Sequence, residues 1–420
     1  MRRALDEAWV WDAVTNGPIT VIAAGKAAEG MVQGLLAVPG VRIARGVAVG
    51  PGASAAVPLP LEWHAAGHPL PDRVSVEAGR AALRCAGETG PSERLVVLLS
   101  GGASALLAAP AAGVTLTEKV AATQLLLASG VPIHELNCVR KHLSDVKGGR
   151  LAVAAGVATL TLAISDVVSP VEDDPTVIGS GPTVPDRTTY AEALAIATRP
   201  ALRGRMPAAV LEVLERGCAG LVAETLKPGD TRVGAAEYRV IGNRRQAMEG
   251  ALTAARELGY AVASIDAPVT GEAVVTGPGH VERLLGLCHD LRHERGGAAC
   301  VVSSGETTVT VIGDGQGGRN QEMALAAACR LRDYGAGAVF ASVGTDGVDG
   351  PTDAAGAFVD TTTVDRAGVA GLAAPSRYLA NNDSYRFFDP LGDLIKTGPT
   401  GTNVGDLQIM LTDGVGGLAS

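Results

Sequence analysis

Apolar segments of strand length alternate with helical patterns along most of this chain. That alternation restricts it to parallel sheets with helices packed on their faces. Pro18 to Ala24 reads as an apolar strand, Lys26 to Ala37 as a helix, Arg45 to Gly50 as a second strand and Arg94 to Leu99 as a third. Leu151 to Ile164 reads as a further buried strand with its approach. The Gly- and charge-rich segment Gly217 to Gly234, which holds Pro228, breaks the pattern and predicts domains at 1–232 and 233–420. Beyond it Glu237 to Ile241 opens a new unit as a strand. Asn243 then stands where it can cap a helix whose apolar face is Ala247, Ala251, Ala254 and Leu258. Strands near Ala261 to Asp266 and Ala299 to Ser303 flank a helix around Val281 to His293, and another strand runs from Ala338 to Val343. In such sheets ligands collect at the carboxyl ends of strands.

A chain of 420 residues exceeds one ordinary core, in keeping with two α/β domains. With 55 glycines and only 3% aromatic residues, those cores are built from Ala, Val and Leu around tight turns. The net charge of −9 argues against a nucleic-acid surface. The sequence gives no sign of a signal peptide. Leu95 to Thr117 lacks charged residues, but Gly101, Gly102 and Pro110 interrupt it, so it reads as strand, turn and helix rather than a membrane span. Six scattered cysteines with no C-x-x-C pair fit a reducing cytoplasm.

Chemistry concentrates where strands end. In Ser303 to Ala328, SSGETTVTVIGDGQGGRNQEMALAAA, a β pattern carried to Val311 and Ile312 enters a glycine turn and leaves it as a helix that begins with Arg319. Amides at a helix start, a glycine-lined approach and a fixed guanidinium together suit a phosphate or carboxylate, which brings in Gly317, Gly318 and Asn320. Gly313, Gly315 and Gly318 also spell G-x-G-x-x-G. The next strand, however, ends in Gly344-Thr345-Asp346-Gly347 rather than in a lone ribose-binding acid, which weakens a dinucleotide reading.

Four further constellations point the same way. Lys26 follows Gly25 at a strand-to-helix turn, where a cation opposes the helix dipole and so favours an anionic ligand. Ser100-Gly101-Gly102-Ala103-Ser104 offers converging amides and hydroxyls to an oxyanion. Asn137 to Ala152 reads as one helix with Lys141, Ser144 and Lys147 on a shared face, alongside Arg140, His142 and Arg150. Asp166, Asp173 and Asp174 in one long loop, and Asp346, Asp349 and Asp353 in another, could hold Mg²⁺ bridged to phosphates. Near the C-terminus Asn382 and Asn403 lie in Gly- and Pro-rich loops suited to recognising substrate hydroxyls.

Taken in order, GKAAEGM, GHPLPD, SGGASALL, the Asn137 to Ala152 run, the Ser165 to Asp186 segment, GGRNQE, GTDGVDGPTDAAGA and the NDSY…TGPTGTNVGDL tail resemble the glycerate 2-kinase family. This is the type with a C-terminal MOFRL domain, often labelled hydroxypyruvate reductase. The resemblance implies two Rossmann-like α/β domains with the active site in the cleft between them, ATP and Mg²⁺, and D-glycerate converted to 2-phosphoglycerate. It implies Lys26 and Arg319 as catalytic residues. Ser100, Gly101, Gly102, Ser104, Gly317, Gly318 and Asn320 would then meet phosphate, Lys141, Asn382 and Asn403 substrate, and Asp166 and Asp346 metal. Ser169 and Pro170 depart from the compact Gly-Asp-Asp turn of the family pattern. The expected setting is cytoplasmic, with small-molecule partners, neither nucleic acid nor membrane, and an assembly left open to a homodimer. A nicotinamide-dependent hydroxypyruvate reductase and a non-catalytic sugar-phosphate-binding protein are the alternatives.

Overall fold

In β1 (Pro18–Ala24) every residue from Ile19 onward is buried. A continuous Ile, Val and Ala run needs this placement, because neither face could meet water. The computed structural model describes residues 8–54, 56–334 and 337–413. Two compact units divide the chain: Met1–Val167 with Val171–Ile241, and Gly242–Ser420 with Val168–Pro170.

The first unit adds β2 (Arg42–Gly50), β3 (Leu61–Ala65), β4 (Arg94–Leu99), β5 (Thr159–Ile164) and β6 (Ala236–Gly242), in the order β3-β2-β1-β4-β5-β6. The pairs from β3 to β5 are parallel, giving the Rossmann strand order with its reversal between β1 and β4. Apolar clusters around Ile22, Leu95 and Leu99 and around Val21, Leu98 and Leu162 cover the two faces. β6 corrects the expected boundary. Tyr238, Val240 and Ile241 pack into the cores of the first sheet, so the units divide after Ile241 rather than at 232.

The helix expected over Asn137 to Ala152 is two helices, Ile133–His142 and Arg150–Ala155. Gly148 and Gly149 separate them at φ +59° and +77°, and a Cβ on Gly149 would lie 2.4 Å from Leu226 Cβ. The break places Lys147 off the helix that carries Lys141. The approach to β5, which itself begins only at Thr159, is the Arg150–Ala155 helix.

The second unit has β7 (Ala261–Glu272), β8 (Ala299–Thr308), β9 (Ala338–Gly344), β10 (Gly356–Asp360), β11 (Leu394–Ile395) and β12 (Asp406–Thr412), ordered β11-β10-β9-β12-β8-β7. The sheet is mixed rather than parallel. β7 and β8 pair in parallel, whereas β12 runs antiparallel to β8 and β9, and β10 antiparallel to β9 and β11. Residues 345–355 form turns in place of a crossover helix, so the chain returns antiparallel after β9. Asn243 caps the Arg244–Glu257 helix by accepting from Gln246 N–H at 3.1 Å. The buried face of that helix is Met248, Leu252 and Ala255, one position beyond the alanine stripe, because the bulkier side chains fill the gap against Cys300 and Val302.

Candidate active site

In the first unit three expected motifs share one edge of the sheet. Lys26 follows β1, the Ser100–Gly102 turn follows β4 and Asp166 follows β5, so the first two flank the point where strand order reverses. Their turns interlock. Lys26 N–H donates to Gly101 O at 2.9 Å, and Ala27 N–H donates to Ser100 Oγ at 3.0 Å. Gly25 has φ +130°, and a Cβ there would meet Ser100 Oγ at 2.1 Å, so glycine is required for the close approach. Ser100 is fully buried and Gly101 is buried, so both build the turn that presents Lys26.

Ser104 lies on a four-residue helix, Ala103–Leu106, entered through Gly102 at φ +85°. Its hydroxyl meets Ser180 Oγ at 3.1 Å, Lys147 Nζ at 2.8 Å and the Arg140 guanidinium. Lys147, 1% exposed, also donates to Ser104 O at 2.9 Å and Gly179 O at 3.3 Å. Burial, with the charges of Arg140, Lys119 and Lys141, pulls its amine well below the usual lysine range. Lys119, which no local motif marks, lines a cavity with Arg140, Lys147 and Ser104. A capping box between Thr115 and Glu118 fixes the start of the Leu116–Ala128 helix that carries it.

Lys141 lies elsewhere. It is buried in an ion pair with Asp186 at 3.3 Å, which removes it from the substrate role expected for it. Burial raises the Asp186 carboxyl, but the Lys141 charge and the Thr188 hydrogen bonds outweigh it and hold the group below its ordinary value.

The glycine turn of the second unit differs from its expected form. β8 stops at Thr308, and Val311 and Ile312 are exposed. Side chains of the 381–383 segment take the loop's amides. Asn382 Oδ1 accepts from Ile312 at 2.8 Å and Gly313 at 3.1 Å, and Asp383 Oδ1 accepts from Gln316 at 2.8 Å. A Cβ on Gly313 or Gly315 would lie 2.4 Å from Asn381 O, and one on Gly318 2.5 Å from the Asp349 carbonyl carbon. These glycines admit the protein's own backbone, so the spacing that mimics a dinucleotide fingerprint has a packing cause.

The start of the Arg319–Arg332 helix is likewise filled from within. Asp349, 1% exposed, accepts from Asn320 N–H at 3.0 Å and Gln321 N–H at 2.9 Å. Asn320 is fully buried, its amide taken by Asp349 and Ser342, which excludes the expected phosphate contact. Burial pushes the Asp349 carboxyl up to about 6 against the lowering pull of those N–H groups. Arg319 grips Asp406 with two hydrogen bonds, at 2.6 and 2.9 Å, and reaches Glu306 at 3.3 Å. Burial would lower its guanidinium pKa, but these acids hold it above the ordinary value. With 29% of its side chain exposed, Arg319 is a clamped cation that still faces solvent.

Asn382 also donates to Thr310 O at 3.3 Å and Glu322 Oε2 at 3.1 Å, so its amide braces the loop. Asn403 Oδ1 accepts from Gly405 N–H at 3.2 Å. Asp346 accepts from Val348 N–H at 3.1 Å within its turn. Among the described residues no group of three or more His, Cys, Asp or Glu could hold a metal ion, and no helix is long and apolar enough to cross a membrane.

A Rossmann-ordered sheet with a lysine turn at its reversal point, followed by a mixed-sheet unit with a clamped arginine, defines a class of two-unit α/β proteins. Residues 2–215 match a domain of unknown function, DUF4147, and residues 299–406 match the MOFRL family. A D-glycerate 2-kinase from Thermotoga maritima is 38% identical over 94% of this chain and 90% of its own length. A putative hydroxypyruvate reductase from Agrobacterium vitis is 39% identical over 94% of this chain and 87% of its own. The crystal structure of a Thermotoga maritima glycerate kinase superposes with a TM-score of 0.85 at 36% identity, covering 98% of this chain and 94% of that one. The chain belongs to the glycerate 2-kinase family, in which a DUF4147 unit precedes a MOFRL unit.

Proposed function

We propose that this chain is an ATP-dependent kinase that phosphorylates D-glycerate to 2-phosphoglycerate. The observation that carries the reading is the interlocked Gly25-Lys26 and Ser100-Gly101 turns at the strand reversal, where open α/β sheets bind their ligands. Relatives named glycerate kinase, matched over most of this chain, supply the substrate. The position phosphorylated comes from the relative named D-glycerate 2-kinase.

Phosphoryl transfer demands positioning and charge neutralisation more than covalent chemistry. In this reading Lys26, held by its backbone bond to Gly101, neutralises charge on the transferring phosphoryl group. Arg319, held by Asp406 and Glu306, stabilises the charge that develops in the transition state, with its side chain ordered in advance. Asp166, half-buried beyond β5, belongs to an oxygen-only donor loop suited to Mg²⁺, which takes few carboxylates and completes its shell with water and phosphate oxygens. When bound, that ion would offset phosphate charge. The setting proposed is the cytoplasm.

Coupled ADP release with D-glycerate, with the product's phosphate position assigned by NMR, tests the proposal. NADH oxidation with hydroxypyruvate and no ADP release would sink it in favour of a reductase. Binding without turnover would favour a sugar-phosphate-binding protein.

A further inference from the structure

A cavity of about 450 Å³ in the first unit has a cationic floor and an apolar lip. Lys119 and Arg140 form the floor beside Ser104, and Leu70, Leu127 and Ile133, each more than a third exposed, form the lip. The Nζ of Lys119 is buried with no hydrogen-bond partner, and the residue is 6% exposed. An ammonium buried without a partner is costly unless something else supplies one. Lys147 cannot serve the cavity equally, because its three donors already meet Ser104 O, Ser104 Oγ and Gly179 O. Arg140 contacts Ser104 Oγ through one terminal nitrogen and Asn137 Oδ1 at 3.5 Å through the other, which leaves donors of its fork for a ligand.

We propose that Lys119 and Arg140 form a receptor for one compact oxyanion, a carboxylate or a phosphate, carried by one of the protein's small substrates. Donors of this kind suit a single oxyanion. Arg140 supplies a planar fork and Lys119 a point charge, while the Ser104 hydroxyl, which accepts from Arg140 and Lys147 and turns its proton to Ser180, braces the floor between them. The electrostatics agree. Burial and the neighbouring Arg140 pull the Lys119 amine down to about 7, with Asp145 opposing, and Lys147 adds to the crowding of cations. An anion in the cavity would return the proton. The location fits as well, since the short Ala103–Leu106 helix continues from the Ser100–Gly102 turn that holds Lys26. The proposal rests on the kinase reading only for which ligand carries the oxyanion.

Isothermal titration of the whole protein with D-glycerate and, separately, with ADP tests it. Lys119→Met should weaken one of the two by about tenfold or more, the loss of a charged hydrogen bond, and raise the melting temperature by removing the unpartnered amine. Weaker glycerate binding identifies the carboxylate, and weaker ADP binding a nucleotide phosphate. Leu127→Glu and Leu127→Lys, on the exposed lip, should shift the same ligand's affinity severalfold in opposite directions. Should the wild type bind neither probe, the kinase reading fails while the receptor is still tested with inorganic phosphate, whose affinity Lys119→Met must lower. Unchanged affinities in Lys119→Met, or equal effects of the two Leu127 variants, would overturn the receptor.

Discussion

The glycine turn at 313–318 and the basic cavity at Lys119 invert what their sequences suggest. The turn has glycines, a helix start and an arginine, yet the protein fills it with its own Asp349, Asn381, Asn382 and Asp383. The cavity lies beside a segment that reads as a basic helix face, yet it holds a buried amine with no partner. An anion site is therefore recognised by donors left unanswered, not by donor-rich sequence. Carboxylates can answer the donors of a helix start from within the same chain.

The largest effect tests the arginine that follows the glycine turn, whose side chain stays 29% exposed. Arg319→Ala should lower kcat by roughly 10²-fold or more, as loss of a transition-state donor does. It should also lower stability by about 3–5 kcal/mol, because Asp406, 1% exposed, would stay buried without its cation. Arg319→Lys separates the two effects, since it restores charge beside Asp406 without the planar fork. Near-normal kcat in Arg319→Ala would remove the arginine from catalysis and leave the clamp purely structural.

The next effect addresses Lys141, which the sequence places in the substrate site and the structure places in a buried ion pair. Lys141→Met should lower stability by about 3–5 kcal/mol, measured by denaturant titration, with KM for D-glycerate unchanged in the folded fraction. The pair's contribution follows Asp186, whose carboxyl is held below its ordinary value in the fold. It is present above the unfolded carboxylate range and is lost as pH falls through the folded value. A raised KM with unchanged stability would restore Lys141 to the substrate site.

Most of the strand positions were legible, because β1 and β4 are buried on both faces and their apolar runs have no competing period. The second sheet was not, because strands β9 and β12 alternate buried and half-buried residues whichever direction their neighbours run. The register of the Arg244–Glu257 helix failed by one position because small alanines mark a face less firmly than Met248 and Leu252. At the site, Lys26 and the Ser100 turn could be read from local motifs. Lys119 could not, because its meaning arises from Arg140 and Ser104 brought to it by the fold. A lone lysine in TEKVAATQ carries no signal of burial.

A smaller effect concerns the acid that occupies the helix start. Asp349→Ala should cost about 2 kcal/mol, at the upper end for a lost cap, since two buried N–H groups lose their acceptor. Asp349→Asn carries the pH test. The native carboxyl is pushed up to about 6, from 3.8, so between those values the fold binds the proton more tightly than the unfolded chain does. Its contribution is therefore complete below pH 3.8 and is lost as pH rises through 6. The melting difference between wild type and Asp349→Asn should narrow from pH 4 to pH 7. A difference that widens over that range would show an acid stabilised as its anion, as at an ordinary exposed cap.

The smallest effect falls on Asn382, where scaffold and substrate readings predict different observables. Its φ of +51° is left-handed, a region asparagine tolerates better than alanine. Its amide accepts from Ile312 and Gly313 and donates to Thr310 O and Glu322. Asn382→Ala should therefore cost about 1–2 kcal/mol through the strained backbone and the freed loop amides, much of them solvent-accessible. Asn382→Gly loses the same hydrogen bonds without the backbone strain, and should recover part of the loss. With KM for D-glycerate unchanged in both, the segment 381–383 braces the turn that carries Arg319. A raised KM at unchanged melting temperature would mean that the asparagine meets substrate and that the turn is less completely filled from within than its hydrogen bonds imply.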